Sequence, residues 1–371
     1  MARDLTRKIL QRFEIMETKL NLDKLEDIKK IDRQGMYDLI YNFPPQLTEG
    51  AHLGFIVDLN LENFIPDNII LTGMGGSAMG GDLARSYLAA ELKIPFWVCR
   101  NYNLLEFVNN KSLVFVSSYS GNTEETLSAY QEAKRRKAKI IAITSGGKLL
   151  EECKRNNFPF ILIPKGLPPR AALGYSLTPI LVTLSRLGLV SDKMEELENT
   201  SKFLEKKREE YSLERRTKEN PAKTLALNFF QKIPIIYSST DYFDAVGYRW
   251  KGQFCENSKI LAFNNYFPEF NHNELVGWKV LDQIRDRLVV IILQDKEDHP
   301  RIHRRMQIVK EIIEREKVKV IEIKSEGENL LSRIFSLIQL GDFTSFYLAI
   351  LNEVDPTPVE VIDYLKNKLA T

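Results

Sequence analysis

Four groups of residues in this chain have types and spacing that could do chemistry: two loops rich in glycine and hydroxyl, one arginine next to prolines, and one glutamate with a histidine beyond it. The first loop, Gly73-Met74-Gly75-Gly76-Ser77-Ala78-Met79-Gly80-Gly81-Asp82, follows a short apolar run from Asn68 to Thr72 and leads into residues spaced for a helix. Glycines at 73, 75 and 76 let main-chain N–H groups approach a ligand with no Cβ in the way, and the start of the next helix aims its free N–H groups at the same place. That is a cradle for an anion, above all a phosphate. Gly73-x-Gly75-x-x-Ala78 also fits the dinucleotide fingerprint, so nucleotide binding is a rival here. The Walker pattern is excluded, because no Lys-Ser or Lys-Thr follows Gly80 or Gly81. A tight strand-to-helix turn would use the same glycines with no ligand at all.

The second loop, Ser118-Tyr119-Ser120-Gly121-Asn122-Thr123, offers three hydroxyls close to another expected helix start, although Ser120 or Thr123 could simply cap that helix. Thr144-Ser145-Gly146-Gly147-Lys148 has similar composition, which turn formation alone explains. Arg170 follows Pro168-Pro169, where a fixed guanidinium could stabilise a charged oxygen; on a surface it would be unremarkable. Glu256 closes an amphipathic stretch through Val246, Trp250 and Phe254. A carboxylate among aromatic and apolar residues suits a general base, and His272, in the polar run Asn271-His272-Asn273-Glu274, is its expected partner. For each alone, a helix cap and a structural histidine are the simpler readings. His299 and His303 lie one helical turn apart, but Arg301, Arg304 and Arg305 surround them, so no metal site is expected.

These residues need a scaffold, and the apolar pattern supplies one. Short runs at 68–72, 94–100, 113–117, 139–144 and 158–164, separated mostly by amphipathic stretches, predict a parallel sheet covered on both faces. The alternation resumes after Asn220-Pro221 with runs at 233–238, 288–294 and 318–323, and an apolar helix is expected over 328–352. Doubly wound sheets bind ligands at the carboxyl ends of their strands, where the two loops fall. The expected fold is α/β: two doubly wound parallel-sheet domains at 61–190 and 221–371, joined by a charged helical linker at 191–220. Packing helices over residues 1–60 precede them, with Leu5, Ile9, Leu10, Phe13 and Met16 at helical spacing. A dinucleotide site would want an acidic residue at the end of the second strand, yet that strand ends Val98-Cys99-Arg100; an Arg would suit only the phosphorylated cofactor.

Composition narrows the partners. Lys+Arg 52 against Asp+Glu 50 gives a net charge of +2, so no overall field favours nucleic acid or an anionic membrane. Cys99, Cys153 and Cys255 lie far apart without a CxxC, which fits reduced thiols, and neither a leader nor a run approaching a membrane span is expected. The expected compartment is the cytoplasm.

Taken together, the 73–82 and 118–123 loops, Pro168-Pro169-Arg170, Glu256 and Asn271-His272-Asn273-Glu274 resemble the bifunctional phosphoglucose/phosphomannose isomerase family, built from two flavodoxin-like sugar isomerase (SIS) domains. The resemblance implies that Gly75, Gly76, Ser77, Ser118, Ser120 and Thr123 hold the phosphate of a hexose 6-phosphate. It also implies that Glu256 moves a proton between C1 and C2, that Arg170 stabilises the enediolate, and that His272, supplied by the other subunit of a homodimer, assists ring opening. Lys366 is the match for a C-terminal lysine near the ring oxygen, and Thr357 for a threonine that admits mannose phosphates. No metal or redox cofactor is implied. Two other readings stay open: a non-catalytic SIS module that senses a sugar phosphate, and an NAD(P)-dependent dehydrogenase.

Overall fold

A computed structural model describes residues 20–59, 61 and 64–369, so the helical spacing over Leu5 to Met16 lies outside the described residues. The remaining N-terminal region forms α1 (Leu25–Ile31), α2 (Met36–Tyr41) and α3 (Pro45–Ile56). The first domain follows as β1 (Asn68–Thr72), α4 (Gly75–Tyr87), β2 (Phe96–Cys99), β3 (Ser112–Ser117), α5 (Glu124–Arg135), β4 (Lys139–Thr144), α6 (Gly147–Asn156) and β5 (Phe160–Leu162). Every pairing is parallel and the strand order is β2-β1-β3-β4-β5. That is the 2-1-3-4-5 order of the flavodoxin-like doubly wound sheet.

A 3₁₀ turn at Pro169–Ala171, α7 (Leu173–Arg186) and α8 (Met194–Lys207) lead to the second domain: α9 (Pro221–Phe229), β6 (Ile233–Ser239), α10 (Asp244–Glu256), β7 (Phe263–Phe267), β8 (Leu288–Gln294), α11 (Pro300–Arg315), β9 (Lys319–Lys324), α12 (Leu330–Leu351) and α13 (Glu360–Leu369). Its sheet, β7-β6-β8-β9, is again all parallel and repeats the first without a fifth strand. The strand β7 is not signalled by the sequence, because Asn264 and Asn265 interrupt its apolar run and, at the sheet edge, only Phe267 of its residues is fully buried.

Period-two alternation along the strands divides the core. Ile69, Leu71, Leu113, Phe115, Ile141 and Ile143 of the first sheet share one cluster with Ile236, Val289, Ile291 and Leu293 of the second. Their neighbours on the opposite pleat bury separately, Ile70, Val114 and Ile140 under α5 and α6, and Tyr237, Val290 and Ile292 under α11. The two sheets therefore face a common inner layer of helices, and that layer is where residues of both domains can meet.

In that layer, α12 is buried along all of its length but Leu330. Its length and composition would suffice to cross a membrane, which corrects the expectation that no run approaches a span. Its Arg333 instead pairs with Asp295 at 2.9 Å and its Asp342 with Arg249 at 2.6 Å, as buried charges must. The charged stretch at 191–220 is more than a connector: α8 buries Leu197 and Leu204, and Ser201 Oγ donates to Pro44 O at 2.9 Å. The N-terminal helices dock through close backbone approach, since a Cβ on Gly54 would stand 2.8 Å from Pro179 Cα.

Candidate active site

The two hydroxyl loops lie side by side at the carboxyl ends of β1 and β3. Gly73 runs so close to β3 that a Cβ there would stand 2.7 Å from Ser117 O. Gly75 opens α4 in the left-handed region, at φ +48°, and is exposed; the N-cap Met74 makes no side-chain cap, so the first-turn amides are not covered by a side chain. Ser77 Oγ accepts from Tyr119 N at 3.0 Å, fastening the first loop to the second. Ser118 Oγ donates to Thr123 Oγ1 at 3.0 Å, and Ser120 Oγ accepts from Asn122 N at 3.2 Å. Thr123 stands at the N-cap of α5 without capping it, so capping does not account for its hydroxyl. The third loop buttresses the second, with Ser145 Oγ donating to Tyr119 O at 2.7 Å and Lys148 N to Asn122 Oδ1 at 3.1 Å.

Gly76 joins this cradle to Arg170. A Cβ on Gly76 would meet Pro169 O at 2.7 Å and Arg170 N at 2.9 Å, so the glycine is required for the 3₁₀ turn to lie against the start of α4. Ahead of that turn, Tyr119 Oη accepts from Leu167 N at 2.8 Å; on its far side Gln46 of α3 donates to Ala171 O at 2.8 Å, which gives the N-terminal helices a part in the site.

The Arg170 side chain is buried, 4% exposed, and crosses into the second domain. Nε donates to Asn257 Oδ1 at 2.6 Å, Nη1 lies 3.4 Å from Glu256 Oε2, and Nη2 donates to Pro356 O and Thr357 O, both at 2.8 Å. Burial lowers its proton affinity and Glu256 raises it again, while Arg249 adds to the lowering. Asn257 is itself oriented by Nδ2 donating to Ser345 Oγ at 2.9 Å. Behind it, Arg249 Nη2 donates to Arg170 O at 3.1 Å and pairs with Asp342, which also accepts from Gln253 Nε2 at 2.8 Å. Removing either charge of the Arg249–Asp342 pair would strand the other in the interior, at a cost of about 3–5 kcal/mol.

Glu256 ends α10, and its side chain is one-third exposed at 33%, the rest held between Arg170 and a cavity of about 640 Å³. Cys255, Lys259, Asp355 and Glu360 line that cavity with it. Lys259 was not singled out by sequence reasoning. Its φ is +57°, a region that costs a residue bearing a Cβ roughly 1–2 kcal/mol. Its Nζ donates to Glu256 O and, at 3.1 Å, to Pro356 O. The available signal was its place three residues past Glu256, which alone does not distinguish it from a helix-capping lysine.

Of the expected site residues, the structure brings together Gly76, Arg170, Glu256 and Thr357, and separately Ser77, Ser118, Ser120 and Thr123 beside Gly75. Thr357 Oγ1 is buried with no hydrogen-bond partner among the described residues. His272 is exposed, past the carboxyl end of β7, whereas Glu256 precedes the amino end of that strand. The two therefore lie at opposite ends of the second sheet within one chain. Lys366 is exposed on α13, beyond Ile362, the last residue of that helix to line the cavity.

The dinucleotide rival loses its support in the same geometry. The 2-1-3-4-5 order is not the 3-2-1-4-5-6 order of the dinucleotide fold, and Arg100 is taken by Asp82, with Nη1 to Oδ1 at 3.1 Å, while stacking 5.5 Å from the Tyr248 ring centroid. His299 Nδ1 accepts from Arg301 N at 3.1 Å and so caps α11.

Comparison with known proteins agrees with this architecture. Residues 66–163 match the SIS domain family, and residues 218–369 match the bacterial phospho-glucose isomerase C-terminal SIS domain. The solved structure of a glucose-6-phosphate isomerase like protein from Thermus thermophilus superposes with TM-score 0.64 over 94% of this chain and 99% of its own, at 19% identity. A tagatose-6-phosphate ketose/aldose isomerase from Escherichia coli gives TM-score 0.64 over 89% of this chain and 98% of its own, at 16% identity. These likenesses establish the fold. A bifunctional phosphoglucose/phosphomannose isomerase of Aquifex aeolicus is 39% identical over 81% of this chain and 90% of its own length. One from Caldicellulosiruptor bescii is 47% identical over 90% of this chain and 99% of its own. At that identity and coverage, the chain belongs to the bifunctional phosphoglucose/phosphomannose isomerase family.

Proposed function

We propose that the chain interconverts glucose 6-phosphate and mannose 6-phosphate with fructose 6-phosphate through a shared cis-enediol. The observation that carries this reading is the contact between Arg170 and Glu256 at 3.4 Å, made from a turn that rests against the phosphate cradle at Gly76. Aldose and ketose exchange requires one base to shuttle one proton between C1 and C2, and a cation beside the two oxygens that share the negative charge. Glu256 is the base in this reading. Arg170, already oriented by Asn257 and two carbonyls, meets the enediolate without reorganising. Gly75, Gly76, Ser77, Ser118, Ser120 and Thr123 hold the phosphate, so that binding energy from a non-reacting group positions the carbons.

Glucose and mannose phosphates differ only at C2, and both collapse to the same enediol. Dual specificity then needs a pocket that lets C2 be protonated from either face, and Thr357, whose carbonyl accepts from Arg170 and whose buried hydroxyl has no partner among the described residues, supports a role there. The chemistry needs no metal or redox cofactor. Because His272 lies away from Glu256 within one chain, ring opening by His272 fits a homodimer in which each site borrows it from the other subunit; Lys366 would act near the ring oxygen only if α13 closes. In this role the protein serves cytoplasmic glycolysis and gluconeogenesis at fructose 6-phosphate.

The direct test is to offer fructose 6-phosphate to the purified protein with a chelator present and identify the aldoses formed. Both aldose phosphates are expected. Phosphate-sugar binding without conversion would instead favour a sensor.

A further inference from the structure

Lys259 stands where glycine or asparagine would sit without strain, at φ +57° three residues past Glu256. Lys137, Asn157, Gln231, Lys317 and Glu353 share this φ just past other helix ends, so the backbone alone marks no site, and what distinguishes Lys259 is where its side chain goes. Here the side chain turns back so that Nζ donates to the main-chain oxygen of Glu256 and, at 3.1 Å, to Pro356 O. Pro356 O also accepts from Arg170 Nη2 at 2.8 Å. One carbonyl of the segment between α12 and α13 thus receives a cation from each domain. The charged groups that face the ammonium are Arg170 from the 3₁₀ turn, Glu256 from α10, Asp355 from that segment and Glu360 from α13.

We propose that Lys259 is a positioning residue for the proton transfer: by tying the end of α10 to Pro356, it fixes the Glu256 carboxylate against the Arg170 guanidinium. The assignment rests on the isomerase reading. Burial, and after it the Arg170 charge, pulls the Lys259 ammonium down to about 8, while Asp355, Glu256 and Glu360 push the other way. Below that pH both carbonyls receive charge-assisted bonds; above it they receive ordinary ones and the positive charge beside the carboxylate is gone. Turnover is therefore expected to fall as pH rises through about 8.

The test compares wild type, Lys259→Met, Lys259→Arg and Lys259→Gly in the full chain, with kcat and KM for fructose 6-phosphate measured across neutral to alkaline pH. The Met variant is expected to lose about 10- to 100-fold in kcat, the scale of a small misplacement, with KM little changed and the alkaline limb gone. Arg keeps its charge throughout, so it is expected to restore much of kcat and to carry the limb out of range. Gly removes the strain, so its melting temperature equals or exceeds that of wild type while kcat falls as in Met. A Met or Gly variant with wild-type kcat and an intact alkaline limb overturns the assignment, as does an Arg variant no better than Met. Absence of aldose products from wild type would overturn the isomerase reading itself, and this assignment with it.

Discussion

Arg170 Nη1 and Glu256 Oε2 stand 3.4 Å apart across the boundary between the two domains, the arginine buried and the carboxylate open to a cavity on its other side. The pair gives the carboxylate a fixed cation while its other oxygen has no hydrogen-bond partner among the described residues. Glu256→Gln keeps the shape and removes the base, so kcat should fall by at least the 10²- to 10⁴-fold that positioned proton transfer contributes. Phosphate binding should survive, because no phosphate-loop residue bonds to Glu256 among the described residues. Initial rates from fructose 6-phosphate, together with competitive binding of inorganic phosphate, check both halves of this expectation.

Gly75 and Gly76 are adjacent, yet they should answer to alanine in different ways. A Cβ on Gly75 meets nothing within 4 Å, so its cost is confined to the left-handed backbone, roughly 1–2 kcal/mol. At Gly76 the Cβ would strike Pro169 O at 2.7 Å and Arg170 N at 2.9 Å, and backbone cannot step aside as a side chain can. Gly75→Ala should mainly raise KM. Gly76→Ala should depress kcat as well, by displacing the guanidinium; equal kcat in the two variants would contradict the link between cradle and arginine.

The sheets were legible because buried parallel strands are near-continuous apolar runs, and Lys139–Thr144 and Leu288–Gln294 begin and end where those runs do. The strand-to-helix turn was legible from Gly73, Gly75 and Gly76, of which the first and last lie against neighbouring backbone and Gly75 stands open. β7 was hidden, since an edge strand tolerates Asn264 and Asn265. Lys259 was hidden for a different reason: its partners, Glu256 O and Pro356 O, are main-chain atoms, and a carbonyl leaves no residue type in the sequence for a pattern to find. The separation of His272 from Glu256 follows from which end of β7 each adjoins, a fact of topology that required the strand to be seen.

The thiols give a chemical check on the cavity. Cys99 and Cys153 are buried, and burial raises both, Cys153 to about 12, which leaves little thiolate to react. Cys255 is half-buried and lines the cavity that Glu256 faces. The native protein should therefore take up one equivalent of iodoacetamide, at Cys255, and all three only after unfolding. Activity should be lost in step with that first equivalent, with fructose 6-phosphate slowing the loss. Full activity after labelling of Cys255 would place the working face of Glu256 elsewhere.

The separation of Glu256 and His272 yields the most demanding expectation. α10 runs back from the carboxyl end of β6, so Glu256 is delivered to the amino end of the neighbouring β7, and the chain then traverses that strand before reaching His272. If each site takes its glutamate from one subunit and its histidine from the other, Glu256→Gln and His272→Ala are each inactive alone. A mixed dimer nevertheless assembles one site with both groups intact and one with neither. Random reassortment makes half the dimers mixed, so unfolding and refolding an equal mixture should recover about a quarter of wild-type activity. Sharing within one chain predicts no recovery at any ratio, and size-exclusion chromatography of the refolded mixture confirms that dimers formed before the rates are compared.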